Sequence, residues 1–243
     1  LRKRQSGRPP ILFLHGFGST KEDYADSVRQ AELNDFPFLA YDAPGCGETV
    51  CSNLEAVSIP FLVKTAEAML EEFNIDRFHL VGHSMGGLTA LMLAHAHPGR
   101  VMSFIDIEGN IAPEDCFLSR QIVQYPADDP NEFFELFIER TLNTPAYSSP
   151  LYSASLRHKV RPEAVRGIFS SMVDLSDNAN LMDKFLGLPC LKMFMYGAQN
   201  NSLTYLKHIE QNGVRLAEIP ECGHFPMYSN PPVMWREIID FLS

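Results

Sequence analysis

The segment Gly82-His83-Ser84-Met85-Gly86-Gly87 constrains the fold of this chain more than any other. It follows an apolar, β-rich run at 78–81 and opens a stretch with helical patterning. The chain must therefore pass from strand to helix within a few residues. Such a turn is tight and strained, and glycine on either side of the serine lets neighbouring backbone approach. A serine placed there projects its hydroxyl above the sheet. The helix beginning beside it offers unpaired N–H groups and a positive dipole end to a developing oxyanion. A bare G-x-S-x-G arises by chance; one set between strand and helix is a specific signal.

The rest of the chain repeats the same alternation. Apolar runs at Ile11–Leu14, 36–41, Val101–Ile107, 191–196 and 214–219 join the one at 78–81. Runs that are apolar without polar alternation suit strands buried on both faces of a parallel sheet. Helical patterns separate them. Ser19-Thr20-Lys21-Glu22 has capping-box spacing before one helix, Ser58 precedes Ile59-Pro60 at the start of a helix running to about residue 73, and Asn230-Pro231 opens the closing helix. The pattern predicts an α/β protein with a doubly wound, mostly parallel sheet.

One connection breaks the rhythm. About 80 residues separate the fourth strand from the fifth, far more than a simple crossover needs. Helical patterns at 131–142 and 162–173, with many Phe, Tyr and Met residues, predict an inserted helical cap at 112–185. Residues 1–111 and 186–243 then form the core. Phe17, Phe117, Phe133, Phe134, Phe137, Tyr147 and Tyr152 are the candidate aromatic pocket residues, each with a competing place in the cap or core packing, and His83 and Phe225 join them through their positions beside the reactive groups.

Two further motifs carry chemistry. His15-Gly16-Phe17-Gly18 follows the first strand, where a second oxyanion donor is required; the predicted donors are the backbone amides of Phe17 and Met85. His15 itself reads as a structural histidine that holds the loop. Cys222-Gly223-His224-Phe225-Pro226 follows the last strand and delivers His224 to the same sheet edge as the base for Ser84. His95 and His97 lie two apart on a helix and share no face, so no metal site is expected. Cys222 reads as a small packing residue.

Composition narrows the partners. A net charge of −10 argues against nucleic acid, whose phosphates need a basic face. Five scattered cysteines without a CxxC pair read as reduced thiols, with a cytoplasmic location as the expectation. No run of about 18 apolar residues predicts a membrane span. The first residues carry no signal-peptide pattern, and the abrupt start at Leu1 leaves the natural N-terminus open.

The motifs HGFG, DxPGxG (Asp42-Ala43-Pro44-Gly45-Cys46-Gly47), GHSMGG and GHxP stand in an order and at spacings that resemble the α/β-hydrolase fold superfamily. More narrowly, the chain is similar to its capped group of small esterases, lactonases, carbon–carbon hydrolases and haloalkane dehalogenases. The likeness covers essentially the whole chain, although the strands usually found before HGFG are shortened or absent. It implies a Ser-His-acid triad and no cofactor.

The acid departs from the common pattern. Most relatives carry Asp in a G-x-x-D motif after the penultimate strand, and that place here reads Gly197-Ala198-Gln199-Asn200. Dehalogenase-like relatives place the acid after the strand before the cap, where this chain has Asp106-Ile107-Glu108. The resemblance therefore implies Ser84–His224–Glu108, with Asp106 as the rival and Asn200 or no functional acid as the remainder. Because the nucleophile position holds Ser and not Asp, carbon–halogen and epoxide chemistry are disfavoured. The expected activity is hydrolysis of a small to medium apolar ester or lactone through an acyl-enzyme on Ser84. Carbon–carbon hydrolysis of a diketone, or a slow-turnover ligand receptor, are the alternatives.

Overall fold

The computed structural model describes residues 7–124 and 129–243. Residues 1–6, where the N-terminal reading begins, and 125–128, inside the expected cap, lie outside the described residues. The strands are β1 (Ile11–Leu14), β2 (Phe38–Ala40), β3 (Phe78–His83), β4 (Val101–Ile107), β5 (Leu191–Gly197) and β6 (Arg215–Ile219). They form one sheet in the order β2-β1-β3-β4-β5-β6, and every neighbouring pair runs parallel. β1, β3 and β4 are buried along almost their whole length, as their unbroken apolar runs require.

Right-handed crossovers decide which face each connection covers. The path from β1 to β2 moves one way across the sheet; all later steps move the other way. Tyr24, on the first connection, therefore stacks on Phe13 with ring centroids 4.6 Å apart. Trp235, on the closing helix, meets the same ring edge-on at 6.2 Å. Helices α1 (Ile59–Glu72) and α2 (Met85–Ala96) pack on each other across the opposite direction of winding. The order reverses between β1 and β3, and in open α/β sheets the crevice beyond the strand ends at that reversal is where ligands bind.

Several start signals behave as local chemistry dictates. The Ser58 hydroxyl accepts from the Phe61 amide at 3.4 Å and Pro60 follows in the first turn. The Ser19-Thr20-Lys21-Glu22 pattern does not open an α-helix. Lys21–Arg29 is a 3-10 segment, and Thr20 makes no side-chain capping bond. The Lys21 amide instead donates to Asp42 Oδ1 at 2.9 Å, and the Lys21 ammonium reaches Oδ2 at 2.8 Å. A carboxylate from the loop after β2 has taken over the capping role.

Between β4 and β5 the chain forms α3 (Phe117–Val123), α4 (Pro130–Leu142), α5 (Ser149–Lys159), α6 (Pro162–Asn178) and α7 (Leu181–Leu186). Helices α3 to α6 pack mainly on one another, whereas α7 packs on α2. The α5–α6 junction is tied to the DxPGxG turn: the Gly47 amide donates to the Lys159 carbonyl at 2.7 Å and the Arg161 amide to the Gly45 carbonyl at 2.9 Å. After β5 come α8 (Leu206–Gln211), α9 (Pro226–Ser229) and α10 (Pro231–Leu242).

Candidate active site

Ser84 stands at the turn from β3 into α2 with φ 51° and ψ −118°, a conformation that costs an L-residue of the order of 1–3 kcal/mol. Gly86 makes the turn possible, because a Cβ there would run into the carbonyls of Leu14 and His15. The Ser84 amide donates to the Ile107 carbonyl at 2.9 Å and so pins the turn to β4. Met85 opens α2, so its N–H has no carbonyl partner within the helix.

The loop after β1 is held by His15. Its Nε2 accepts from the Ala43 amide at 2.8 Å, and its Nδ1 donates to the Gly16 carbonyl at 2.8 Å. Both ring nitrogens are thus committed to backbone, and burial lowers the pKa of the ring, which stays neutral. The Phe17 amide donates to no group among the described residues.

His224 lies on the loop between β6 and α9. Its Nδ1 sits 3.2 Å from Glu108 Oε2. Glu108 directly follows β4 with φ 52°, which turns its side chain toward the end of β5. There the Gly197 amide donates to Oε1 at 2.7 Å, and the Asn200 side-chain amide donates to Oε1 at 2.9 Å and Oε2 at 2.7 Å. The Glu108 side chain is only 6% exposed, against 37% for His224. A buried carboxylate with every neighbour a donor can fix an imidazole in the tautomer whose Nε2 accepts a proton. Among the described residues no hydrogen bond joins the Ser84 hydroxyl to the ring. Such contacts are often loose without substrate and tighten in its complex.

Asp106, two residues earlier, points elsewhere. It is fully buried, accepts from the Gly109 amide at 2.9 Å and leaves Oδ2 without a partner. Burial pushes its pKa well above the usual carboxylate range. Cys222 is also inert: its thiol donates to the Gly223 carbonyl at 3.0 Å, and burial pushes its pKa up to about 12. His97 pairs with Glu67 at 2.7 Å, while His95 contacts Lys184 at 3.4 Å.

Ser84, Glu108, Asn200 and His224 all face one cavity of ≈ 330 Å³ beneath α3–α6. Phe17, Phe137 and Phe169 form an aromatic corner of it, with centroids 4.6–5.4 Å apart. Tyr152, Phe225 and Met172 continue the wall, and Phe117, 76% exposed, stands at the mouth. Among the described residues the charged groups of its lining are acidic, Glu108, Glu114 and Asp115, and no Lys or Arg contributes. Burial raises the pKa of Asp115 to about 6.

Four sequence candidates do not line this cavity. Phe133 is fully buried within the helical layer, its ring covered by Arg166 at 4.4 Å. Phe137 and Thr141, one and two turns further along the same face of α4, line the cavity instead. Phe134 is likewise buried away from the cavity. His83 is buried below the base loop, where its Nε2 donates to the His224 carbonyl at 2.8 Å; burial holds its pKa well below 6.5. Tyr147 is half-exposed, and it is its backbone amide that makes a contact, to Gln199 at 2.8 Å. Sequence reading passed over Asn110, Glu114, Asp115, Phe169, Met172 and Tyr205 in the lining. It also missed that the Asn200 amide grips Glu108. The Asn at the vacant acid position was the available signal for that contact.

A parallel sheet wound both ways from β1 and β3, with a strained serine after β3 and a histidine–carboxylate pair at the same edge, defines an α/β-hydrolase. The chain belongs to the Alpha/beta hydrolase family, whose pattern matches residues 11–237. It is similar to the human protein "Monoacylglycerol lipase ABHD6", with 25% identity over 277 residues covering 100% of this chain and 77% of the relative. Two solved structures share the fold. "MenH from S. aureus" superposes with TM-score 0.78 at 17% identity, covering 98% of this chain and 96% of that one. The "enol-lactonase from Burkholderia xenovorans LB400" superposes with TM-score 0.75 at 20% identity, covering 99% and 93%. No helix among the described residues is long and apolar enough to cross a membrane.

Proposed function

We propose that this hydrolase cleaves a neutral, small to medium apolar carboxylic ester or lactone through an acyl-enzyme on Ser84. One observation carries the reading: Ser84 and the Glu108-bound His224 open into the same aromatic cavity, whose lining among the described residues has no Lys or Arg. An anionic acyl group would meet Glu108, Glu114 and Asp115 there without a counter-charge, and burying it unpaired would cost several kcal/mol, of the order found for lone buried charges. A neutral acyl chain instead meets Phe17, Phe137 and Phe169. The names of the monoacylglycerol lipase and the enol-lactonase, both cleaving ester-type bonds, agree with this class.

In the first half-reaction His224 Nε2 takes the Ser84 proton as the oxygen attacks the carbonyl carbon. The amides of Phe17 and Met85 receive the oxyanion, and Glu108 holds the imidazolium through Nδ1–H. The proton passes to the departing alkoxide. Water then enters and attacks the acyl carbon while its proton passes to His224, and His224 returns that proton to the Ser84 oxygen as the bond to the acyl group breaks and the acid leaves. Residues 112–185 act as a lid that shapes the cavity and excludes bulk water. The five free cysteines fit a reducing, cytoplasmic setting as part of the same proposal.

Carbon–carbon hydrolysis of a diketone should need a polar Arg or Asn pair near the nucleophile. Among the described residues no Arg lines the cavity, Asn200 is committed to Glu108, and the Asn110 amide goes to Cys116 at 3.1 Å and Ser176 at 3.2 Å. A panel of chromogenic esters of increasing acyl length, run on the protein and on Ser84→Ala, tests the proposal. Turnover is expected only with Ser84 intact. Equal rates for the two proteins refute it, and tight retention of ligand without hydrolysis replaces it with a receptor.

A further inference from the structure

We infer that Tyr152, from α5, is a positioning residue for the Phe17 amide, so that the seat for the oxyanion is complete only when α5 is docked on the sheet edge. The inference rests on the esterase reading above. The Tyr152 hydroxyl is buried and donates to the Phe17 carbonyl at 2.6 Å. The two peptide planes that flank Phe17 are therefore held from two different parts of the molecule. His15, from the core, grips the Gly16 carbonyl, and in a planar trans peptide this fixes the opposite direction of the Phe17 N–H. Tyr152, from the helical layer, grips the next carbonyl along and so fixes the remaining rotation about Phe17.

The local sequence makes room for this contact. Gly18 has φ 73°, and a Cβ there would run into the Tyr152 hydroxyl and Leu156. The left-handed turn at Gly18 lets α5 come close enough for the phenol to reach the carbonyl. The same ring also stacks on Phe225, with centroids 4.3 Å apart and planes at 28°, and Phe225 meets the edge of His224 at 5.0 Å. One side chain thus bears on the oxyanion loop and on the neighbour of the base. A ring needed only as an apolar wall would do as well as Phe, without a buried hydroxyl that must find a partner.

Tyr152→Phe separates these roles, since it keeps the ring and its stack and deletes the hydroxyl. With a hexanoyl chromogenic ester, kcat is expected to fall about 10- to 100-fold, short of the 10²–10³ seen when an oxyanion donor is deleted outright. KM should stay within about twofold, because the cavity wall is unchanged. A hexyl trifluoromethyl ketone, which adds to Ser84 and places an oxyanion in the same seat, should lose affinity by the same factor as kcat/KM. The matching trifluoromethyl alcohol, which forms no oxyanion, should bind as before. Rates are normalised to Ser84 titrated with a fluorophosphonate, so an unfolded fraction does not count. Unchanged kcat and ketone affinity would overturn the inference, as would equal weakening of ketone and alcohol, which marks a plain packing role. If the unaltered protein neither labels at Ser84 nor turns over, the esterase reading falls and this one falls with it. If it does both and Tyr152→Phe matches it, only this inference is lost.

Discussion

Glu108→Gln is the sharpest probe of the site, because the two side chains have the same shape and differ in charge and donor pattern. All three groups around the carboxylate are donors: the Gly197 amide at 2.7 Å, the Asn200 amide at 2.9 and 2.7 Å, and His224 Nδ1 at 3.2 Å. A glutamine has one accepting end. If its oxygen faces Gly197, its NH2 faces both Asn200 and His224, and the imidazole must present an unprotonated Nδ1. Its proton then sits on Nε2, where it cannot accept one from Ser84. If the amide flips, His224 keeps its tautomer but the NH2 opposes the Gly197 N–H. Either orientation also loses the charge that stabilises the imidazolium. Replacing a triad carboxylate by its amide in this way lowers kcat about 10⁴-fold, or roughly 5 kcal/mol of transition-state stabilisation. The unpaired donors add about 1–3 kcal/mol of lost stability. Initial rates with a chromogenic ester, together with a thermal melt, read both quantities. A folded Glu108→Gln protein with near-normal kcat would refute the assignment.

The companion changes follow from the same contacts. Asn200→Asp alone should lower activity, because it sets a second carboxylate against Glu108 and one of the two must then hold a proton; faster turnover than the unaltered protein would contradict this. In the Glu108→Gln background the same change should recover part of the lost rate, since a carboxylate returns beside the base; no recovery at all would mean residue 200 cannot reach it. Phe133→Ala should cost about 3–5 kcal/mol of stability, as expected for emptying a packed aromatic site, with KM little changed; a large shift in KM at full folding would place the ring in the substrate path. Asp106→Asn tests the buried acid. Its folded pKa is raised above the unfolded value near 4, so its stabilising contribution is fully present below about pH 4 and declines by about 1.4 kcal/mol per pH unit above it, until the folded pKa is reached. Urea midpoints should therefore favour the Asn variant increasingly as the pH rises from 4, and a constant difference would mean Asp106 titrates normally.

Much of this molecule is legible in its sequence, because the governing constraints are local. The β1, β3, β4 and β5 runs are apolar on both faces, so their strands announce themselves without alternation. The glycines around Ser84 are demanded by a single turn. Ser58 and Pro60 mark a helix start that depends on nothing distant. The misreadings share the opposite property. Ser19-Thr20-Lys21-Glu22 has the right spacing for a capping box, but Asp42, from another loop, supplies the acceptor instead. Phe133 and Phe137 are indistinguishable by composition, and only the packing of α4 against α6 decides which faces the cavity. Tyr147 and His83 sit where motifs or composition suggest a ligand, yet their contacts are made with backbone from distant loops.

The proposed position of the acid, at Glu108, has a geometric basis in the pairing of β4 with β5. β4 and β5 are parallel neighbours, paired with Ile107 opposite Met195. Their next residues therefore emerge side by side, about 4.8 Å apart, at the same edge of the sheet. The Glu108 amide donates to the Met195 carbonyl at 3.0 Å, which extends the pairing to the residue that carries the carboxylate. A left-handed backbone at Glu108 then swings the side chain toward β5, and the extra methylene of Glu over Asp helps it cross one strand spacing. A carboxylate needed beneath His224 can thus be rooted on either strand. It cannot be rooted on both, because two ionised groups would share one set of donors. An amide at residue 200 with a carboxylate at residue 108 is the arrangement that keeps one negative charge and satisfies its donors. With Glu108 as the proposed acid, the Asn200 amide serves as its donor, and the single and double substitutions at these two positions should behave as one coupled pair.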